Sequence, residues 1–214
     1  MKLDPISIVT NPEQKLDKKF FFISGNETTL IFKVREIIVN FFKFNDGCSV
    51  RKIKNISLYK NELGLFENKS VYIVNDILGI DNDVIEKISK DENYFLFISE
   101  NSPKNRLIKK IFLNRDDSYL IDCYELDRST KIRILGIYLN KIGVELEKEV
   151  YWNLVDLLDN KYVFFEKEIE KINYLKNKDL NEVELRKLIS KNSDNLEKIF
   201  FDIMNKNEKI VNSY

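Results

Sequence analysis

The sequence predicts an α/β domain built on a parallel sheet, followed by a small all-α domain. Over the first 125 residues, short runs of apolar residues alternate with segments of helical period. Wholly apolar strands of this kind are typical of parallel sheets that are covered on both faces. After Glu125 the strand patterns cease and only helical spacing continues. We therefore place the α/β domain at residues 1–125, a helical bundle at 126–192 and the start of a third domain at 193–214.

Five runs predict the strands of this sheet. The run Phe20–Ile23 is apolar throughout and indicates a central strand that is buried on both faces. Three others, at 71–74, 94–98 and 119–123, are rich in apolar, β-branched and aromatic residues. The run at 49–53 predicts a weaker second strand.

Capping residues predict where the intervening helices begin. Asn26 is suited to cap a helix directly after the first strand. Asp81 or Asp83 is suited to start the helix that contains Ile85 and Ile88, and Asp83 with Glu86 has the spacing of a capping box. Ser102-Pro103 predicts a helix with proline at its first position.

Composition excludes several classes of function. Lys+Arg and Asp+Glu number 35 each, which argues against a basic field over the whole molecule for nucleic acid. Histidine is absent, which removes the commonest general base, the commonest metal ligand and any histidine-based triad. Cys48 and Cys123 are far apart without a CxxC motif, so we expect both to be reduced and buried. No signal peptide or membrane-spanning run is present, so we expect a cytoplasmic protein without a membrane partner.

A phosphate-binding loop is the first feature to test, because a parallel sheet followed by a helical bundle is a nucleotide-hydrolase layout. Such a loop needs G-x-x-x-x-G-K-[ST] after the first strand, so that backbone N–H groups and the lysine hold phosphate. Residues 24–29 contain one glycine and no lysine, and Glu27 would repel phosphate. Thr28 and Thr29 fit better as residues of the first helical turn. We expect no catalytic residues, no cofactor and no metal.

An apolar pair, Leu65-Phe66, is the most unusual local feature of the sequence. It lies between Gly64 and a polar turn, just before the strand at 71–74. Connections of this kind usually run over the surface, where two large apolar side chains are suited to bind in an apolar pocket of a partner protein. The alternative is that the pair folds back under its own sheet.

Several motifs in order along the chain resemble the delta subunit of the bacterial DNA polymerase III clamp loader. FFISGNE at 21–27 resembles that family's opening strand and turn, and LGLF at 63–66 with KSVYIV at 69–74 resembles its next conserved segment. DNKYVF at 159–164 and EIEKI at 168–172 resemble its helical domain. LNEV at 180–183 and NLEKIFFD at 195–202 resemble the stretch that leads into its third, collar domain.

The resemblance implies a fold and a function. The first domain would be a P-loop-NTPase-like (AAA+-type) domain that has lost its phosphate loop, and the second a lid-like helical domain. The protein would bind the sliding clamp (beta subunit) and favour its open form in DNA replication, without hydrolysing ATP. Its other partners would be the remaining clamp-loader subunits of the polymerase III holoenzyme and, indirectly, DNA. The clamp-binding residues would be Leu65 and Phe66, with Leu63 beside them.

Other interpretations remain open. The chain could be a nucleotide-dependent AAA+-like enzyme with an atypical phosphate site, or an adaptor that uses its helical bundle. A basic cluster could contact DNA or a partner, or it could be a solvated helix face. It consists of Lys104, Arg106, Lys109, Lys110 and Arg115.

Overall fold

The computed structural model describes residues 1–60, 69–100, 102–103 and 105–174. The predicted site residues Leu63, Leu65, Phe66 and Lys104 lie outside the described residues, as does the third domain expected at 193–214. The chain divides into two compact units, Met1–Glu125 and a second that starts at Leu126.

The first unit is built on a sheet of five parallel strands in the order β2-β3-β4-β1-β5. This confirms the predicted α/β fold class with its parallel sheet. The central strand predicted at Phe20–Ile23 is β1, and all of its residues are buried. The strands are β1 (Phe20–Gly25), β2 (Ser49–Asn55), β3 (Ser70–Asp76), β4 (Tyr94–Glu100) and β5 (Ser118–Cys123).

Aromatic side chains of the central strands form the core on both faces of the sheet. On one face Phe20 stacks on Phe95 at 5.7 Å and Phe22 stacks on Phe112 at 5.2 Å between ring centroids. On the other face Phe21 meets the edge of Phe42 at 5.6 Å. Because successive side chains of a strand point to opposite faces, the unbroken apolar run of β1 supplies both halves of this core.

Among the described residues of the first unit there are four α-helices, and one of them was not predicted. The short helix α1 follows Asp4, whose carboxylate accepts a hydrogen bond from the N–H of Ile6 at 3.1 Å. Six residues are too few to give a readable period, which explains the omission. The helices are α1 (Pro5–Thr10), α2 (Thr28–Asn45), α3 (Asn82–Ser89) and α4 (Asn105–Leu113).

Two predicted helix starts are wrong by one or a few residues, and for a third the first of two predicted alternatives is observed. The N-cap of α2 is Glu27 instead of Asn26, and the N-cap of α3 is Asp81, which accepts from Val84 N–H at 2.8 Å. The expected box of Asp83 and Glu86 does not start α3, because Asp83 already lies in the first turn. Ser102-Pro103 instead forms a turn ahead of α4, in which Asn105 N–H donates to Ser102 O at 3.0 Å.

The two edges of the sheet differ. The N-terminal residues run beside β5, where Leu3 N–H donates to Leu120 O and Leu120 N–H donates to Met1 O, both at 2.9 Å. The opposite edge is β2, whose residues alternate between half-buried and exposed. A 3₁₀ turn at Ile56–Leu58 follows β2.

The second unit contains three described helices around an apolar centre. Gly143 ends the first of them in a left-handed conformation, with φ of 68°, which glycine adopts readily because it has no Cβ. Lys131 is almost fully buried and its ammonium donates to Leu158 O at 2.8 Å, at the end of the second helix. The helices are α5 (Arg128–Ile142), α6 (Lys148–Leu157) and α7 (Tyr162–Tyr174).

Within the described part of the chain, none of the helices has both the length and the apolar character that crossing a bilayer requires.

Candidate functional site at the carboxyl end of the sheet

The carboxyl end of β1 is where this fold would bind a ligand. In open parallel sheets, ligands bind beyond the carboxyl ends of the strands, at the point where the strand order reverses. Here β1 lies between β4 and β5, and its chain continues to β2 at the far edge of the sheet. The turn that follows β1 leads directly into α2, so the N-terminus of α2 occupies the place of a phosphate-binding helix.

The N-terminus of α2 is filled by the protein's own carboxylate. Glu27 is buried, with 3% of its surface exposed. Its carboxylate accepts hydrogen bonds from the N–H groups of Thr29 (3.4 Å) and Leu30. It also accepts from the Thr29 hydroxyl at 2.8 Å. These backbone N–H groups, with the partial positive charge of the helix end, are what a phosphate would need. The sequence indicated that Glu27 repels phosphate; in the structure it also occupies the anion position itself.

Gly25 brings the turn into close contact with β5. Its φ is +152°, and a Cβ at this position would lie 1.7 Å from Cys123 O. The same carbonyl accepts a hydrogen bond from Glu27 N–H at 3.2 Å, which fixes the turn against β5. A glycine is therefore needed here for the close packing of β1 against β5, because the position that a Cβ would take is occupied by the backbone of β5.

A charged cluster lies beside this turn on β5. Asp122 is the neighbour of Ser24 in the sheet, and its carboxylate accepts from the ammonium groups of Lys109 (2.6 Å) and Lys2 (2.9 Å). Burial raises the pKa of Asp122, but the hydrogen bonds from Lys109 and Lys2 outweigh it and lower the pKa below its usual value. Burial lowers the pKa of Lys109, while Asp122 and the Tyr124 hydroxyl raise it above the usual value overall.

Sequence reasoning missed this cluster. The only signal was a carboxylate at the end of an otherwise apolar run, and nothing in the sequence indicated that Lys109 and Lys2 converge on it. Burial raises the pKa of the neighbouring Cys123 thiol, and both cysteines are free and buried.

The other strand ends carry polar side chains that bond locally. Asp76 accepts from Leu78 N–H at 2.9 Å, and the buried Asn105 donates to Glu100 O at 2.7 Å. Ser99 donates to the Asn105 side-chain oxygen at 2.8 Å. Over the described ranges, no group of three or more acidic or cysteine side chains could hold a metal ion.

The predicted basic contact residues separate in the structure. Arg106 and Lys110 are exposed on α4, whereas Lys109 is half-buried and paired with Asp122. Arg115 forms a two-point ion pair with Asp117, at 2.8 and 2.7 Å. A contact with DNA or a partner through Arg106 and Lys110 stays a prediction, and Lys109 would have to leave its carboxylate to join it.

Comparison with solved structures shows the fold. The DNA clamp loader delta protein of Bacillus subtilis superposes with a TM-score of 0.60 at 11% identity, over 96% of this chain and 67% of that chain. The shared fold is that of a clamp-loader delta protein. The likeness is one of fold, and it agrees with the α/β fold expected from the resemblance.

Two replication initiators are also similar at lower scores. Domain III of DnaA from Thermotoga maritima gives a TM-score of 0.44 at 14% identity, over 87% of this chain and 88% of that one. AMPPCP-bound DnaA from Aquifex aeolicus gives 0.43 at 18% identity, over 84% of this chain and 62% of that one. No protein-family model and no curated protein matches the sequence.

Proposed function

We propose that this protein is a delta-type clamp-loader subunit, which binds the sliding clamp and favours its open form without hydrolysing ATP itself. The observation that carries the proposal is Glu27, which holds the N-terminus of α2 where a phosphate would bind. A nucleotide fold without a free phosphate position is suited to binding a protein partner. The likeness to the Bacillus subtilis delta protein over 96% of the chain supports the same choice.

The clamp contact would be made by Leu65 and Phe66, with Leu63 beside them. Burying one leucine and one phenylalanine in a partner's pocket is worth about 3–5 kcal/mol before ordering costs. Binding can open a ring only when the binder prefers the open form by a comparable free energy. The apolar pair would therefore act as a hot spot, with the α/β unit as its scaffold.

The remaining clamp-loader subunits would be the other partners, within a polymerase III holoenzyme in the cytoplasm. DNA would be met indirectly, inside the assembled loader. Exposed Arg106 and Lys110 on α4 are the described candidates for that contact. Reversing both charges without any loss of loading activity would remove them from the proposal.

A binding experiment with the cognate clamp tests the proposal. The full chain and its Leu65→Ala/Phe66→Ala variant are compared by equilibrium binding to the purified clamp. We expect the variant to bind at least about 100-fold more weakly, which corresponds to roughly 2.7 kcal/mol. Its melting temperature should stay within about 2 °C of the parent, because the proposal places the pair at the surface, where side chains contribute little to stability.

A matched control uses another leucine and another phenylalanine of the same unit. Leu78 and Phe32 are 55% and 50% exposed, and Leu78→Ala/Phe32→Ala should bind the clamp normally. A parent chain that fails to bind the clamp would refute the function. A large fall in melting temperature for the Leu65/Phe66 variant would place the pair in the core. Binding that persists in that variant would favour an adaptor that docks through its helices.

A further inference from the structure

An apolar groove runs along the outer face of α2 in the first unit. Its floor is formed by Ile37 and Phe41, which lie one turn apart, and Pro12 closes one side. The groove has a volume of about 510 Å³, which is ample for an aromatic side chain. Phe41 is held in place by the edge-to-face contact with Phe42, at 5.2 Å between ring centroids. The floor is therefore fixed by the core beneath it.

Phe44 stands beside this groove and projects from the molecule. It lies one turn beyond Phe41 on the same helix and forms part of the groove wall, yet it is 79% exposed. Ile37, Phe41 and Phe44 have the i, i+4, i+7 spacing of one helix face. The same surface therefore contains an aromatic side chain that projects outward and an apolar groove of a size to receive one.

The rim of the groove carries one charge of each sign. Glu13 and Lys15 are both exposed and both line the groove. In a two-fold symmetric pair, every contact between residue i and residue j occurs twice. Glu13 of one copy can then face Lys15 of the other, and the reverse contact follows from the symmetry. The formal net charge of the chain is zero, so two copies do not repel each other as wholes.

From these features we propose that the groove is a self-association surface, in which Phe44 of each copy enters the groove of a second copy. The occupant is thus a second molecule of this chain, related by a two-fold axis. One side chain of each copy in the groove of the other makes a smaller contact than the 1,200–2,000 Å² or so that stable interfaces bury, so we expect a weak dimer. We expect a dissociation constant on the order of 100 μM. None of the groove residues belongs to the proposed clamp contact.

Sedimentation equilibrium of the full chain over roughly 10–500 μM brackets that constant and tests the proposal. The parent chain should pass from monomer to dimer over this range. Phe44→Ser should weaken the dimer at least about tenfold, as expected for a central aromatic anchor. Phe32→Ser is the matched control, because Phe32 is 50% exposed on the same helix but does not line the groove. The control should dimerise like the parent, and both variants should melt at the parent's temperature.

Charge reversal tests the two-fold arrangement and the identity of the occupant. Glu13→Lys alone and Lys15→Glu alone should each weaken the dimer, since each places like charges across the axis. A one-to-one mixture of these two variants should form heterodimers, and the chain with both substitutions should recover the parent's association.

Three outcomes would overturn the proposal. A parent chain that stays monomeric at 500 μM would mean that the groove is covered by a segment of its own chain or by another partner. A dimer that Phe44→Ser leaves unchanged would mean that the chains associate through another surface. A mixture of the two charge variants that remains monomeric would exclude the two-fold pairing.

Discussion

The carboxylate of Asp122 is held by two ammonium groups, and this gives the protein a pH-dependent contribution to stability. Its folded pKa lies below the usual 3.8, so its stabilising effect is present above pH 3.8 and is lost as the pH falls through the folded pKa. The folded pKa of Lys109 lies above the usual 10.5, so its contribution is present below pH 10.5 and is lost as the pH rises through that folded value. Between the folded pKa of Asp122 and that of Lys109, both side chains are charged and the ion pair is formed.

Asp122→Asn should therefore lower the free energy of unfolding by about 2 kcal/mol at pH 7, as for hydrogen bonds to charged groups. The difference from the parent should shrink when urea unfolding is repeated at a pH below the folded pKa of Asp122, where the parent has also lost the carboxylate charge. Asp156→Asn is the control, because the Arg128–Asp156 pair is exposed and should contribute little at either pH. An equal loss at both pH values for Asp122→Asn would mean that packing, and not the charge, stabilises this position.

Single residues were predictable from sequence where their chemistry is local. The unsuitability of Glu27 for phosphate follows from its charge and its place after the first strand. Its role as a cap does not, because Asn26, one position earlier, is of a residue type that caps helices more often. Which of the two is used depends on how Gly25 packs against Cys123 O, a contact between residues almost 100 positions apart.

At the scale of elements, α2 depends on Glu27 for the first turn of the helix. Removing a capping side chain costs about 0.5–2 kcal/mol, and here the carboxylate serves two backbone N–H groups at a buried position. We expect Glu27→Ala to lose about 2 kcal/mol in urea unfolding followed by circular dichroism.

The matched variant Glu27→Gln keeps the length of the side chain and one acceptor oxygen. It should lose less than Glu27→Ala, because an amide oxygen still accepts from the helix N-terminus. Equal losses in the two variants would show that the negative charge is what matters. An alanine variant as stable as the parent would contradict the capping role of Glu27.

The strands were more predictable than the helix ends. A strand buried on both faces is apolar at every position, so β1 and β4 are evident without knowledge of their neighbours. A helix end depends on which backbone N–H groups remain unpaired after packing, and this is why Asp81 and not Asp83 caps α3. Strand order is likewise decided by packing across the sheet, and the sequence predicted only that the strands are parallel.

For the whole molecule, the parallel sheet and the occupied phosphate position together favour the proposed function over a nucleotide-dependent enzyme. A ligand that binds only the folded state raises stability by about 2.7 kcal/mol at 100 times its dissociation constant. For a chain of this size that gain would raise the melting temperature by roughly 5–10 °C. Because Glu27 already takes the N–H groups of α2, we expect no shift with millimolar Mg-ATP. A thermal-melting titration measures this directly. A saturable rise in melting temperature of several degrees at micromolar ATP would instead favour the enzyme. It would mean that the phosphates bind to hydrogen-bond donors other than the N–H groups that Glu27 occupies.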